Sequence, residues 1–125
     1  MPTINIRTQD GYRNELIGGS GVSEVYLAAD APATISDNVQ VASLSNTGGA
    51  ATAEFTVPSP ASYTGSSQGL FLFITAQAAP QDVALLAPAG VTIGGVPSIT
   101  GISANTLIYL FKVSDTEWGI GGFTA

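Results

Sequence analysis

The chain has 125 residues, of which 45% are hydrophobic and 10% charged, and it carries a formal net charge of −6. It contains no cysteine and no histidine, which excludes thiol nucleophiles, imidazole bases, disulfide frameworks and zinc sites of the usual ligand types. Three cations without a basic cluster argue against nucleic-acid binding, and no apolar run approaches the roughly 20 residues that cross a bilayer.

The low charge content predicts an assembly of subunits. An average soluble domain has about 25% charged residues, well above the value here. A chain of this length forms one domain with a core of its own, and the surface that remains has too little charge for a well-solvated monomer. We therefore expect other subunits to cover part of that surface. The N-terminus also lacks the pattern of a secretory signal, so we expect a soluble protein that acts where it is made.

Residues 1–21 form a distinct N-terminal segment. Residues 1–17 hold two of the three cations, balanced by Asp10 and Glu15, so the net negative charge lies beyond them. The glycine-rich residues 18–21 have the composition of a flexible linker. The segment is either an ordinary first strand and loop or an extended docking arm that orders against a partner. In the second case the docking residues are Ile4, Ile6, Arg7, Tyr12, Arg13, Leu16 and Ile17.

The body, residues 22–125, has the pattern of an all-β fold. Short apolar alternations over residues 23–28, 37–45 and 53–57 are separated by turn-forming residues. No window carries a helical i, i+3, i+4, i+7 stripe free of glycine or proline. The pattern predicts an antiparallel β-sandwich or barrel-like body with very little helix.

Two later segments, residues 70–74 and 106–113, are apolar on both faces. A strand in a lone antiparallel sheet exposes a polar face to water, so each is either sandwiched between two layers or pressed against another subunit. Residues 114–117 form a polar turn, and residues 118–120 return as the partner strand of a hairpin that closes the fold. The predicted subunit contacts are Leu70, Leu72, Ile74, Ile108 and Leu110.

Several short motifs resemble a β-domain that recurs in tailed-phage proteins. They read FTVP at 55–58, SYTG at 62–65, a strand at 70–75, APAG at 87–90 with IGG at 93–95, LIYLFK at 107–112 and WGI at 118–120. In that family a Leu-Pro or Val-Pro step leads to a Tyr-x-Gly turn, a strand, a Pro-x-Gly turn and an aromatic-ended hairpin. The resemblance covers residues 53–120. It departs from the family at residues 114–117, which lack the usual Asp-Gly or Asn-Gly step, and the N-terminal third has no counterpart.

The resemblance implies a homotrimer with a place in the virion. Such domains occur in head decoration and head-fibre proteins and near the ends of tail fibres and spikes. We therefore expect a capsid decoration or cement protein that stabilises a tailed-phage head. We expect it to associate with itself and with the major capsid protein, and to move from the host cytoplasm to the capsid surface during assembly. The alternative is the glycan-binding, receptor-recognising tip of a phage fibre, for which the preceding residues offer no heptads or repeats to build a shaft.

Each candidate for chemistry has a simpler structural explanation. Asp115 and Glu117 resemble a carboxylate pair for glycoside hydrolysis, but alternate acids in a hairpin turn are typical of solvent exposure. The glycine pairs lack the lysine and following helix of a phosphate-binding loop and are interpreted as turns. Tyr63 and Trp118 lie beside turns and are candidates for surface recognition of a sugar, although packing against the core is favoured. We expect no enzyme activity, metal or cofactor.

Overall fold

Ten β-strands make up most of the chain that the computed structural model describes, which comprises residues 23–48, 51–64, 69–76, 81–103 and 105–124. Within these ranges the only helical segments are two short 3₁₀ turns, Ala28–Asp30 and Pro60–Ser62. The predicted all-β class is therefore confirmed. The strands are β1 (Ser23–Tyr26), β2 (Ala33–Thr34), β3 (Val41–Asn46), β4 (Thr52–Thr56), β5 (Gly69–Ala76), β6 (Asp82–Leu86), β7 (Thr92–Ile93), β8 (Ser98–Ile102), β9 (Thr106–Ser114) and β10 (Glu117–Thr124).

The strands form two mixed sheets. Sheet A has six strands in the order β1-β3-β5-β9-β10-β7, and sheet B has four in the order β2-β4-β6-β8. From β1 to β6 the chain alternates between the sheets, so each new strand lies parallel to the one two places earlier. Antiparallel pairing joins β5 to β9, β9 to β10 and β6 to β8, whereas β7 runs parallel to β10.

The prediction of antiparallel sheets is wrong for the first six strands. A chain that crosses to the other sheet and then returns runs in its original direction, so its strands pair parallel. The turn signals in the sequence mark where strands end, but they do not reveal whether the next strand pairs locally or crosses over. The predicted β9–β10 hairpin is confirmed, with Asp115 and Thr116 between the strands.

Both sheets contribute to one hydrophobic core. The alternation in β4 places Ala53 and Phe55 inward, with Val57 following, and all three are buried as the sequence predicted. Trp118 from β10 and Tyr63 from the segment before β5 join the same cluster. Its largest fully buried side chains are Trp118, Tyr63, Phe55, Ile35, Leu44, Leu70, Leu72, Leu85, Ile93, Leu110, Val39 and Val57.

The five residues predicted to contact other subunits belong to this core. Leu70, Leu72, Ile74, Ile108 and Leu110 are between 0% and 6% exposed in a single chain. Strands β5 and β9 are adjacent in the middle of sheet A, where Leu70 pairs with Leu110 and Leu72 with Ile108. A side chain buried in its own chain cannot touch another, so the interface prediction is corrected: the outward residues of the same strands are the ones available.

The predicted N-terminal arm, including Ile4, Ile6, Arg7, Tyr12, Arg13, Leu16 and Ile17, lies outside the described residues. No helix in the described ranges is long and apolar enough to cross a membrane.

Candidate functional site

Sheet A carries an apolar surface on the side opposite to the core. Its members alternate with core residues along the strands, and register places them in rows across the sheet. We call this surface the aromatic face. It comprises Ser23, Val25, Val41, Ser43, Ser45, Gly69, Phe71, Phe73, Thr75, Leu107, Tyr109, Phe111, Val113, Gly119 and Gly121. None of these residues is charged, and the acid nearest to them on this side of the sheet is Glu117, two residues before Gly119 at the start of β10.

The centre of the aromatic face is a row of neighbouring rings. Phe71 and Tyr109 are directly opposite each other on antiparallel strands, with ring centroids 4.5 Å apart and planes inclined by 33°. Tyr109 and Phe111 lie two residues apart on β9, with centroids 6.0 Å apart and an angle of 29°. The small angles between neighbouring rings make this row a continuous apolar area.

Two glycines make room for these rings. A Cβ atom at Gly69 would overlap the Tyr109 ring, and one at Gly119 would overlap the Phe111 ring. Neither glycine has a positive φ, so the requirement is for space and not for an unusual backbone conformation. Each ring therefore extends over the backbone of the adjacent strand and covers a glycine that would otherwise leave a gap in the sheet surface.

Exposure of large apolar side chains is concentrated on this face. Phe71, Phe73 and Phe111 are 43%, 48% and 42% exposed, and Val25 and Val113 are 70% and 60% exposed. Isolated exposed apolar residues are common, but a continuous patch marks a place where another molecule binds. Sequence reasoning selected the inward residues of β5 and β9 instead. The signal it missed is that all the aromatic residues of β5 and β9 share one alternation, which places the rings together on the side opposite to the core.

Tyr63 and Trp118 are buried and cannot recognise a ligand at the surface. Both are 0% exposed, and their rings meet edge to face with centroids 5.1 Å apart. The Tyr63 hydroxyl donates to the Val39 carbonyl, and Trp118 Nε1 donates to the Pro58 carbonyl at 2.9 Å. Burial raises the pKa of Tyr63, with the negative charges of Asp37 and Glu24 adding to the effect. These contacts fix the connection between β4 and β5 against the core.

Asp115, Gly94 and Gly95, which were considered as candidates for chemistry, lie in turns as the simpler explanation predicted. Asp115 lies in the β9–β10 turn and forms an ion pair with Lys112 at 3.1 Å, and its side chain is 76% exposed. Lys112 Nζ also donates to the Tyr63 carbonyl at 2.8 Å, so the lysine holds the turn to the same connection. Gly94 and Gly95 have positive φ and form a turn between β7 and β8. No group of three potential metal-ligating residues occurs within the described ranges.

A groove lies between β8 and the β9–β10 pair. This groove has a volume of about 420 Å³, and its lining consists of isoleucines, hydroxyl residues and glycines. It has no charged group to orient a ligand. The lining residues are Ile99, Thr100, Gly101, Ile102, Ser103, Thr106, Ile108, Ile120, Gly121 and Gly122.

Comparison of the chain with family models, curated proteins and solved structures found no match. No family is shown. The functional argument therefore depends on the residues themselves and on the aromatic face.

Proposed function

We propose that the chain is a virion structural protein, a homotrimeric decoration or cement protein that stabilises a tailed-phage head. The sequence motifs over residues 53–120 supply the phage context. The observation that carries the proposal is the uncharged aromatic face, which gives a chain with a net charge of −6 a surface through which copies can associate. In this proposal the two sheets form a sandwich-like body that presents the face to its neighbours.

The composition supports a structural role. A protein that works by remaining folded in a large assembly needs a stable body and contact surfaces, and it needs no cluster of titratable groups. The described acids lie in turns, at strand ends, on sheet B, or, for Glu24, on the core side of β1. Glu24 accepts hydrogen bonds from the Tyr26 hydroxyl and the Ser36 amide, which fix the first strand locally.

Attachment to the capsid is assigned to residues 1–17. Their neutral charge and five large apolar residues distinguish them from the acidic body. A trimer carries three such arms, and binding of one raises the effective concentration of the others, so weak individual contacts with the major capsid protein give strong retention.

The alternative is a glycan-binding fibre tip, which the ring geometry of the aromatic face favours. Neighbouring rings at small angles to each other can stack against the apolar faces of sugars, with Ser43, Ser45 and Thr75 nearby as hydrogen-bonding groups. The decoration role is preferred because most of the face is aliphatic or aromatic, and a specific sugar site needs several convergent polar groups.

A binding experiment distinguishes the decoration role from the fibre-tip role. Purified protein is mixed either with phage heads that lack it or with host cells, and the pelleted fraction is measured after sedimentation. The decoration role predicts saturable binding to heads and none to cells. Binding to cells alone, with competition by soluble surface glycan, would establish the fibre-tip alternative instead.

A further inference from the structure

We infer that the aromatic face is the subunit interface, packed against the same face of other copies of this chain. This rests on the proposed homotrimer and specifies which surface holds it together. The sequence pointed to the aliphatic side of β5 and β9, but that side is filled by the core. The aromatic side is the remaining apolar surface of these central strands.

Charge identifies the partner as a second copy. The body carries seven acids and only Lys112 as a cation, so two copies repel each other over most of their surfaces. Among the described strands of sheet A, the one acid on this side is Glu117, at the edge where β10 begins, so like-charged copies can approach closely over the rest of the face without burying a carboxylate. A partner of opposite charge would gain nothing from this uncharged surface.

The face supplies a large part of the area that a subunit contact of standard size requires. With about 200 Å² for each aromatic side chain, the exposed fractions of Phe71, Phe73 and Phe111 leave on the order of 270 Å² of ring surface in water. Val25 and Val113 extend the patch in two directions. Five strands spaced about 4.8 Å apart give a face on the order of 500 Å² in projection, and a stable interface buries about 800 Å² of accessible surface on each partner.

The shape of the face also fits a sheet partner. Because Tyr109 lies over Gly69 and Phe111 lies over Gly119, the rings rise little above the sheet. Packed sheets need such a surface, since side chains from the two layers must fill a space about 10 Å thick without gaps. In a trimer three copies of this face meet around the symmetry axis, and the rings of each contact those of its neighbours.

Cysteine accessibility tests the inference in the folded protein. The chain has no cysteine, so Thr75→Cys places a single thiol on the aromatic face, and Thr52→Cys places a matched thiol on β4 of sheet B. Both residues are exposed in the isolated chain. We expect maleimide labelling of Thr75→Cys to be at least tenfold slower at micromolar than at low nanomolar concentration, while Thr52→Cys labels rapidly at both.

A second variant links the protection to the rings. The double variant Phe71→Thr/Phe73→Thr replaces two exposed rings with polar residues that strands tolerate. Its control, Val96→Thr, removes a similarly exposed valine that lies outside the aromatic face. With Thr75→Cys added, the double variant is expected to label rapidly at every concentration and to have a monomer's mass, whereas Val96→Thr behaves as wild type.

Equal labelling rates for Thr75→Cys at all concentrations would overturn the inference, as would an unchanged mass in the folded double variant. A dimer with a protected Thr75→Cys would keep the face as the interface and reject the trimer. A protected trimer that fails to sediment with phage heads would keep this inference and reject the decoration role. A monomer that loses glycan binding in the double variant would assign the face to sugar recognition.

Discussion

Gly119→Ala provides a direct test of how the aromatic face is built. The added methyl group would overlap the Phe111 ring, which must then move away. Phe111 is 42% exposed, so its buried remainder is on the order of 100 Å². Complete exposure of that area would cost at most about 3 kcal/mol at 25 cal/mol per Å². Overpacking of this kind costs about 1–3 kcal/mol, and we expect Gly119→Ala to destabilise the protein within that range.

Gly121→Ala is the matched control. Gly121 lies two residues further along the same strand and on the same face, it has no positive φ, and no atom lies within 4 Å of the position that an alanine Cβ would take. Replacing an unstrained strand glycine by alanine stabilises by roughly 0.5–1 kcal/mol, so the two variants should differ in sign. The assay is urea unfolding at one fixed protein concentration, because oligomer stability depends on concentration.

A double-mutant cycle identifies the contact responsible. In the Phe111→Ala background the ring is absent, so Gly119→Ala should become neutral or stabilising, with a coupling energy of about 1–3 kcal/mol. If Gly119→Ala is as stable as Gly121→Ala, or if the cycle shows no coupling, the glycine does not serve to accommodate the ring and the proposed construction of the face is wrong.

Three further variants test the core, the pH dependence and the arm. Leu110→Asp should prevent folding, as judged by circular dichroism, because a carboxylate would replace a 0% exposed leucine; a folded, assembly-deficient protein would contradict the core assignment. The hydrogen bond from the Tyr26 hydroxyl lowers the pKa of Glu24 in the folded protein, so the ionised carboxylate stabilises the fold above the unfolded pKa of about 4.3, and this stabilisation is lost as pH falls through the folded pKa. The urea unfolding midpoint of the wild type should therefore decline more on acidification than that of Glu24→Gln, and parallel declines would refute the linkage. Deletion of residues 1–17 should leave a folded trimer that no longer sediments with phage heads, and retained binding would place the capsid contacts in the body.

Local patterns were sufficient to locate the strands. The alternation through Ala53, Phe55 and Val57 has one polar side, so its inward face follows from the sequence alone. The β9–β10 hairpin was also predictable, because its partners are separated by only a short polar turn. In both cases the information lies within a few residues of the element that it specifies.

Which strands pair, and which side of a strand faces the core, depend on distant residues and could not be predicted from local patterns. The parallel pairing of β3 with β5 joins segments about 30 residues apart, and nothing local to either strand encodes it. Both faces of β5 and β9 are apolar, so hydrophobicity could not decide which one is inward. Trp118 lies beside a turn in the sequence, but Pro58 and Tyr63, from a distant segment, cover it.

The molar mass of the wild-type protein in dilute solution tests the central claim most directly. Sedimentation equilibrium at micromolar concentration should give three times the 12.6 kDa mass of one chain, with dissociation only on further dilution. A stable, well-folded species of 12.6 kDa at that concentration would contradict the claim that copies of this chain assemble through the aromatic face.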